Sequence, residues 1–196
     1  MIPAESIREA AEGLAGIAER TPLLSLPSLG ARVKLENRQP IGAFKIRGAT
    51  TAVRRLPASE RARGVITHSS GNHGQAVAFA AARFGIPAVI VMPQDAPRVK
   101  QEGVRRYGGE IAFVTERSER LSRCEALAAE RGLVMIPPYE NADVIAGQAT
   151  CGLEIFEDVP DVETIVVPVG GGGLIAGVAS AVRHFAPHVR VVAVEP

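Results

Sequence analysis

Apolar residues recur at helical spacing near the start of the chain. Ile7, Ala10, Ala11, Leu14 and Ile17 share one face and predict a helix over residues 4–20, ended by Thr21 and Pro22. A short alternation over 31–36 reads as a strand, and 45–56 reads as a helix stopped by Pro57. From Gly64 onward the pattern switches to repeated strand–helix units. Strands are predicted at 65–68, 88–92, 110–114 and 133–136, with helices over 76–83, 99–107 and 119–131 between them. A helix over 143–157 follows, then a strand over 164–169, four consecutive glycines, a helix over 174–185 and a strand over 189–194. Alternating elements of this kind predict an α/β protein built on open, twisted, mainly parallel sheets with flanking helices.

Composition narrows the possible partners. The chain has 196 residues, is 46% hydrophobic and 22% charged, and has a formal net charge of +1 with both signs interspersed. No basic stripe for nucleic acid and no polybasic patch for a membrane stands out, so a small-molecule substrate is expected. Cys124 and Cys151 stand alone, without CxxC or a histidine at metal spacing, which points to a reducing compartment, the cytoplasm. The longest apolar run, at 86–93, is too short to span a bilayer.

The stretch Gln39-Pro40-Ile41-Gly42-Ala43-Phe44-Lys45-Ile46-Arg47-Gly48 sets a lysine between small residues and an apolar wall at a loop-to-helix junction. A lysine of ordinary pKa near ~10.4 is a neutral amine in roughly one molecule in a few thousand at pH 7. Three features would lower that value: Arg47 nearby, the partial positive charge of the helix start, and desolvation by Phe44 and Ile46. A lysine treated this way is suited to attack a carbonyl.

Two turns add candidate anion sites. Ser69, Ser70, Gly71, Asn72 and His73 lie between a strand and an Ala-rich helix, where backbone N–H groups are left open for a carboxylate or phosphate. Gly170, Gly171, Gly172 and Gly173 likewise separate a strand from a helix. Glycines there let amides converge on an anion. A competing reading takes Gly171-x-Gly173-x-x-Ala176 as a dinucleotide fingerprint, with Glu195 as the ribose-binding acid of an NAD(P)-dependent oxidoreductase. It leaves Lys45 and the Ser/Asn turn unused. A non-catalytic ligand-binding protein is the remaining class.

Taken together and in order, Gly42 to Gly48, Ser69 to His73 and the four glycines resemble the three signatures of the fold-type II pyridoxal-phosphate enzymes (tryptophan synthase β-like). The serine racemase and serine/threonine dehydratase branch is the nearest in pattern. Arg20-Thr21-Pro22-Leu23, Lys34-Leu35-Glu36-Asn37, Val144-Ile145-Ala146-Gly147-Gln148 and Val167-Pro168-Val169 agree with it. The resemblance implies that Lys45 is the Schiff-base lysine beside Phe44, that Asn72 bonds the ring hydroxyl of pyridoxal 5'-phosphate, and that Gly170 to Gly173 hold its phosphate. The 69–73 loop, with Ser69, Ser70, Gly71, Asn72 and His73, would receive the carboxylate of a small amino-acid substrate.

The resemblance further implies a large cofactor domain from residues 1–63 and 143–196, incomplete at its C-terminal end, around a small inserted domain at 64–142. The expected activity is dehydration and deamination of L-serine or L-threonine to a 2-oxo acid and ammonia, with serine racemisation as the alternative. Ser70 would be the second proton carrier of a racemase, whereas Pro137-Pro138-Tyr139 is closer to the dehydratases. Glu195 would contribute to a divalent cation such as Mg²⁺ in the racemase-like members, whose other ligands lie further along the chain. A homodimer is expected at full family length, and this chain is expected to be the N-terminal portion of such an enzyme.

Overall fold

The structure, a computed structural model, describes residues 1–195. Helix α1 (Ala4–Leu14) buries Ile7, Ala10 and Leu14 as the apolar spacing requires. It stops well before residue 20 because the chain turns at Ala15, ψ 128°, and Gly16, φ +71°, closed by the Ile17 amide on the Leu14 carbonyl, although Ile17 keeps the spacing. Strand β1 (Leu23–Leu26), unexpected from the sequence, pairs antiparallel with β2 (Ala31–Lys34), with Leu23 opposite Lys34 and Leu26 opposite Ala31. Strand β2 ends at Lys34, and Glu36–Arg38 forms a 3-10 turn where the alternation suggested continued strand. Helix α2 (Lys45–Arg55) starts at the lysine, and a short α3 (Ala58–Arg61) follows Pro57.

The middle of the chain is a run of β3 (Val65–His68), α4 (Asn72–Arg83), β4 (Ala88–Pro93), α5 (Arg98–Arg106), β5 (Glu110–Val114), α6 (Arg120–Arg131) and β6 (Val134–Met135). Its four strands form one parallel sheet in the order β5-β4-β3-β6. Strand β4 is buried along its whole length, as a parallel strand covered on both faces must be. Alternate residues face opposite layers. Val65, Ile90 and Met92 pack with Ala76, Val77 and Ala80 of α4 and with Ile46 and Val53 of α2, while Ile66, Val89 and Val91 pack with Cys124 and Leu127 of α6.

The last third begins with α7 (Ala142–Asp158), whose first turn is capped by Asn141: its side-chain oxygen accepts from the amides of Asp143 and Val144, both at 2.9 Å. Strand β7 (Thr164–Pro168), α8 (Gly173–Phe185) and β8 (Arg190–Val194) complete a parallel βαβ unit. Helix α7 lies between α2 and α8 at backbone distance. A Cβ on Gly147 would stand 2.4 Å from the Arg47 carbonyl oxygen, and one on Gly177 would stand 2.6 Å from the Ala149 amide. These contacts tie α2, and with it Lys45, to the βαβ unit that carries the glycine run.

Candidate active site

Lys45 opens α2 and is half-buried. Its Nζ donates to the carbonyl oxygen of Pro138 at 2.6 Å and lies 5.4 Å from the centre of the Phe44 ring. Among the described residues no carboxylate pairs with it. Burial holds its pKa below the ordinary lysine value, in the direction that favours the neutral amine.

Arg47 does not contribute to that shift. Its side chain is turned to the opposite face of α2, where it is buried and bonded to Glu36 at 2.8 Å and to Glu154 at 2.6 and 2.8 Å. Two carboxylates neutralise its charge. Desolvation works against the Arg47 cation, but the bonds to Glu36 and Glu154 raise its pKa all the same. Glu36, penalised by burial, is nonetheless held below the usual carboxylate range by Arg47, Thr21 and Gln39. Lys34 reaches the same cluster at 2.6 Å from Glu154.

The 69–73 loop connects β3 to α4, and Asn72 is the first residue of the helix. Ser69 Oγ accepts from the Gly71 amide at 3.2 Å. Among the described residues the amides of Ser70, Asn72, His73 and Gly74 have no acceptor, as the first turn of a helix leaves them. Two cationic side chains that sequence reasoning missed close on the loop. Lys100 of α5 donates to Asn72 Oδ1 at 2.5 Å, and Arg120 of α6 reaches Ser70 Oγ at 3.5 Å. With Oδ1 engaged, Asn72 keeps its amide nitrogen as a donor. Nothing short of the fold separates Lys100 and Arg120 from the other charges on two polar helices.

The His73 ring points inward. It is 3% exposed and donates Nε2–H to the Ile136 carbonyl oxygen at 3.0 Å, while Nδ1 has no partner. Burial pushes its pKa down to about 3, and the Lys45 charge acts the same way, so the ring is neutral. What His73 can offer the loop is its backbone N–H.

The glycine run joins β7 to α8, with Gly172 at φ +82° before the helix. Among the described residues the amides from Gly170 through Ile175 have no acceptor, so the run and the first turn of α8 present N–H groups to one another's neighbourhood. A Cβ at Gly170 or Gly172 would meet nothing within 4 Å. That side is an open cradle. At Gly171 a Cβ would strike the Tyr139 ring at 2.2 Å, and at Gly173 it would meet Tyr139 Cβ at 3.1 Å.

Residues 136–139 bring the three stretches together. The Ile136 carbonyl holds His73 of the Ser/Asn loop, the Pro138 carbonyl holds Lys45, and Tyr139 packs on Gly171 and Gly173. A half-buried amine without a counter-ion, a side-chain amide donor and two sets of open helix N-terminal amides fit a phosphorylated pyridine aldehyde and a substrate carboxylate.

Residues 14–196 match the family described as pyridoxal-phosphate dependent enzymes. The chain belongs to this family. It is 46% identical to the serine racemase of Oryza sativa subsp. indica over 198 residues, covering 97% of this chain and 58% of that protein. It is 40% identical to the catabolic L-threonine dehydratase of Staphylococcus aureus, covering 96% and 57%. The solved structure of maize serine racemase superposes with a TM-score of 0.96 at 42% identity, covering all of this chain and 61% of that one. The chain therefore spans about three-fifths of the length of these relatives.

The expected α/β architecture of pyridoxal-phosphate fold type II is borne out by that superposition. The dinucleotide-like spacing falls on a true βαβ unit, β7, α8 and β8, in a chain whose family is that of pyridoxal-phosphate dependent enzymes. Glu195 is exposed just past β8, and among the described residues no three His, Cys, Asp or Glu side chains gather as a metal site. No helix of the described residues is long and apolar enough to cross a membrane.

Proposed function

We propose that this chain carries the lysine and phosphate grips of an enzyme that dehydrates and deaminates L-serine or L-threonine, with racemisation of serine as a secondary activity. The observation that carries the reading is the convergence of Lys45, the 69–73 loop and the 170–173 run on residues 136–139. Relatives named serine racemase and L-threonine dehydratase support the substrate class.

In this reading the open amides of the glycine run and of the first turn of α8 bind the cofactor phosphate. Asn72 donates its side-chain N–H to the ring oxygen, oriented by Lys100, and Phe44 shields the lysine from water. Lys45 would be the attachment point for the cofactor aldehyde, and its Nζ, when free, would take the proton from the substrate Cα. When bound, the cofactor spreads the charge left at Cα. The amides of the 69–73 loop hold the substrate carboxylate. Loss of the Cα proton and the β-hydroxyl together amounts to loss of water, and hydrolysis of the remaining C–N bond gives the 2-oxo acid and ammonia.

Ser70 is the second proton carrier for racemisation. The supporting observation is that, among the described residues, its hydroxyl is held only by the long contact from Arg120.

The same reading divides the chain into a cofactor domain, 1–63 with 143–196, and an inserted domain, 64–142, that carries the four-stranded sheet. It takes the protein as a cytoplasmic homodimer, and both cysteines being free and buried suits a reducing compartment. Glu195 is this chain's one carboxylate toward a divalent cation.

The test is the absorption spectrum of the protein with added pyridoxal 5'-phosphate. An imine band that survives dialysis and vanishes in Lys45→Ala supports the reading; no band, with NAD bound instead, overturns it. Ser70→Ala is expected to abolish D-serine formation from L-serine while elimination persists. Retained D-serine formation would remove Ser70 from that role.

A further inference from the structure

A residue that packs on the glycine run lies outside the three signature stretches. Tyr139 fills one side of the run, its Cδ1 2.2 Å and Cε1 2.6 Å from where a Cβ of Gly171 would stand, while the positions at Gly170 and Gly172 face open space. Four consecutive glycines have more backbone freedom than any other tetrapeptide, and amides that must converge on an anion lose affinity if they have to be ordered on binding. The run has no side chains with which to order itself. Besides the bond from the Ala176 amide to the Gly172 carbonyl, the restraint found among the described residues is Tyr139, its ring against Gly171 and its Cβ and Cα against Gly173. Tyr139 is also 37% exposed, so its placement is not that of a core residue whose burial would explain it. Its hydroxyl makes no hydrogen bond among the described residues, which leaves the ring face as the working part.

We propose that Tyr139 is the positioning residue for the phosphate end of the site: its ring holds the 170–173 run in the anion-gathering conformation, while the adjacent Pro138 carbonyl holds Lys45. Two consecutive residues thereby fix the spacing between the amine and the phosphate cradle. The inference rests on the reading above that the run binds phosphate.

The test compares two probes on the 196-residue protein, pyridoxal 5'-phosphate and pyridoxal, which lacks the phosphate and in water is largely closed to a cyclic hemiacetal, so that each variant is set against the wild type on the same probe. Dissociation constants are read from the imine band with Lys45, and competition by inorganic phosphate gives a second measure. The wild type is expected to bind the phosphorylated probe far more tightly. Tyr139→Ala is expected to weaken pyridoxal 5'-phosphate about tenfold and leave pyridoxal within about twofold, because only the preorganisation of the run is lost. Tyr139→Phe is expected to match the wild type on both.

Tyr139→Leu, which removes the ring but keeps an apolar side chain, gives a second route to the same effect, and it decides the matter should Tyr139→Ala fail to fold. An unchanged ratio between the two probes in Tyr139→Ala, an equal loss for both, or tighter binding of pyridoxal 5'-phosphate overturns the positioning role. If the wild type itself does not distinguish the probes, the phosphate reading of the run fails first and takes this inference with it.

Discussion

Lys45 and Arg47 stand two residues apart on one helix, and the protein treats them in opposite ways. On one face of α2, Lys45 is half-buried beside a neutral carbonyl with no carboxylate paired to it among the described residues, and its pKa falls. On the other, Arg47 is 1% exposed between Glu36 and Glu154, and its pKa rises. Burial acts on both side chains in the same sense, against the cation. Counter-ions decide the outcome. A cation given two carboxylates becomes a fastening between the Glu36–Arg38 turn, α2 and α7, whereas one given only a carbonyl is shifted toward the neutral amine. The difference also separates what the two residues do for stability, and each consequence can be measured.

The largest effect is expected at Arg47. Replacing it with methionine would leave Glu36 without its cation and Glu154 with Lys34 alone, at 13% and 16% exposed respectively. Removing one partner of a buried ion pair costs about 3–5 kcal/mol. Urea unfolding of Arg47→Met at pH 7 should show a loss of that size. A loss under about 1 kcal/mol would mean that Glu36 and Glu154 take up protons or water readily, and that the cluster is not a fastening.

That cluster also shows where reading the sequence stopped. Lys45 at a loop-to-helix junction was legible because small residues and an apolar wall surround it locally, and the glycine run because four glycines in succession have few other uses. Arg47 was misjudged as the agent that lowers the Lys45 pKa, since sequence proximity says nothing about which side of a helix meets a carboxylate 107 residues away. The parallel strands from Val65 onward were found nearly to the residue, the apolar runs of β3 and β4 being set by burial on both faces. Strand β1 was missed because Leu23–Leu26 is four residues between two prolines, too short for a period to register. Lys100, Arg120 and Tyr139 were illegible as site residues because only the fold brings them to the loop and the glycines.

His73 lies between the two extremes. It is buried like Arg47 but has only a carbonyl partner like Lys45, and it stays neutral with its pKa pushed down to about 3. In the unfolded chain it takes up a proton near pH 6.5, so between pH 6.5 and 3 the unfolded state binds more protons and stability falls as the pH is lowered. The penalty is about 2 kcal/mol at pH 5 relative to pH 7, from 1.36 kcal/mol per pH unit below 6.5. His73→Asn, which retains a donor for Ile136, should show a decline in stability between pH 7 and 5 that is smaller by about that amount. Parallel declines for variant and wild type would show that His73 is protonated in the folded protein.

The smallest stability effect is expected at the most consequential residue. Lys45 makes one bond to a neutral carbonyl, worth about 1 kcal/mol, and bears a desolvation cost as an ammonium that nothing charged offsets. Methionine keeps the length and apolar stem without the charge, so Lys45→Met should lose the imine band altogether yet change unfolding free energy at pH 7 by no more than about 1 kcal/mol. The pH dependence adds a sharper requirement. Because the folded pKa is depressed, the unfolded state binds more protons between that value and ~10.4, and the wild type gains stability as pH rises through this window. Lys45→Met lacks that gain, so any advantage it holds at pH 7 should shrink toward pH 10. A loss of 3 kcal/mol or more at pH 7, comparable with Arg47→Met, would show that Lys45 is a structural cation after all and would erase the contrast between the two faces of α2.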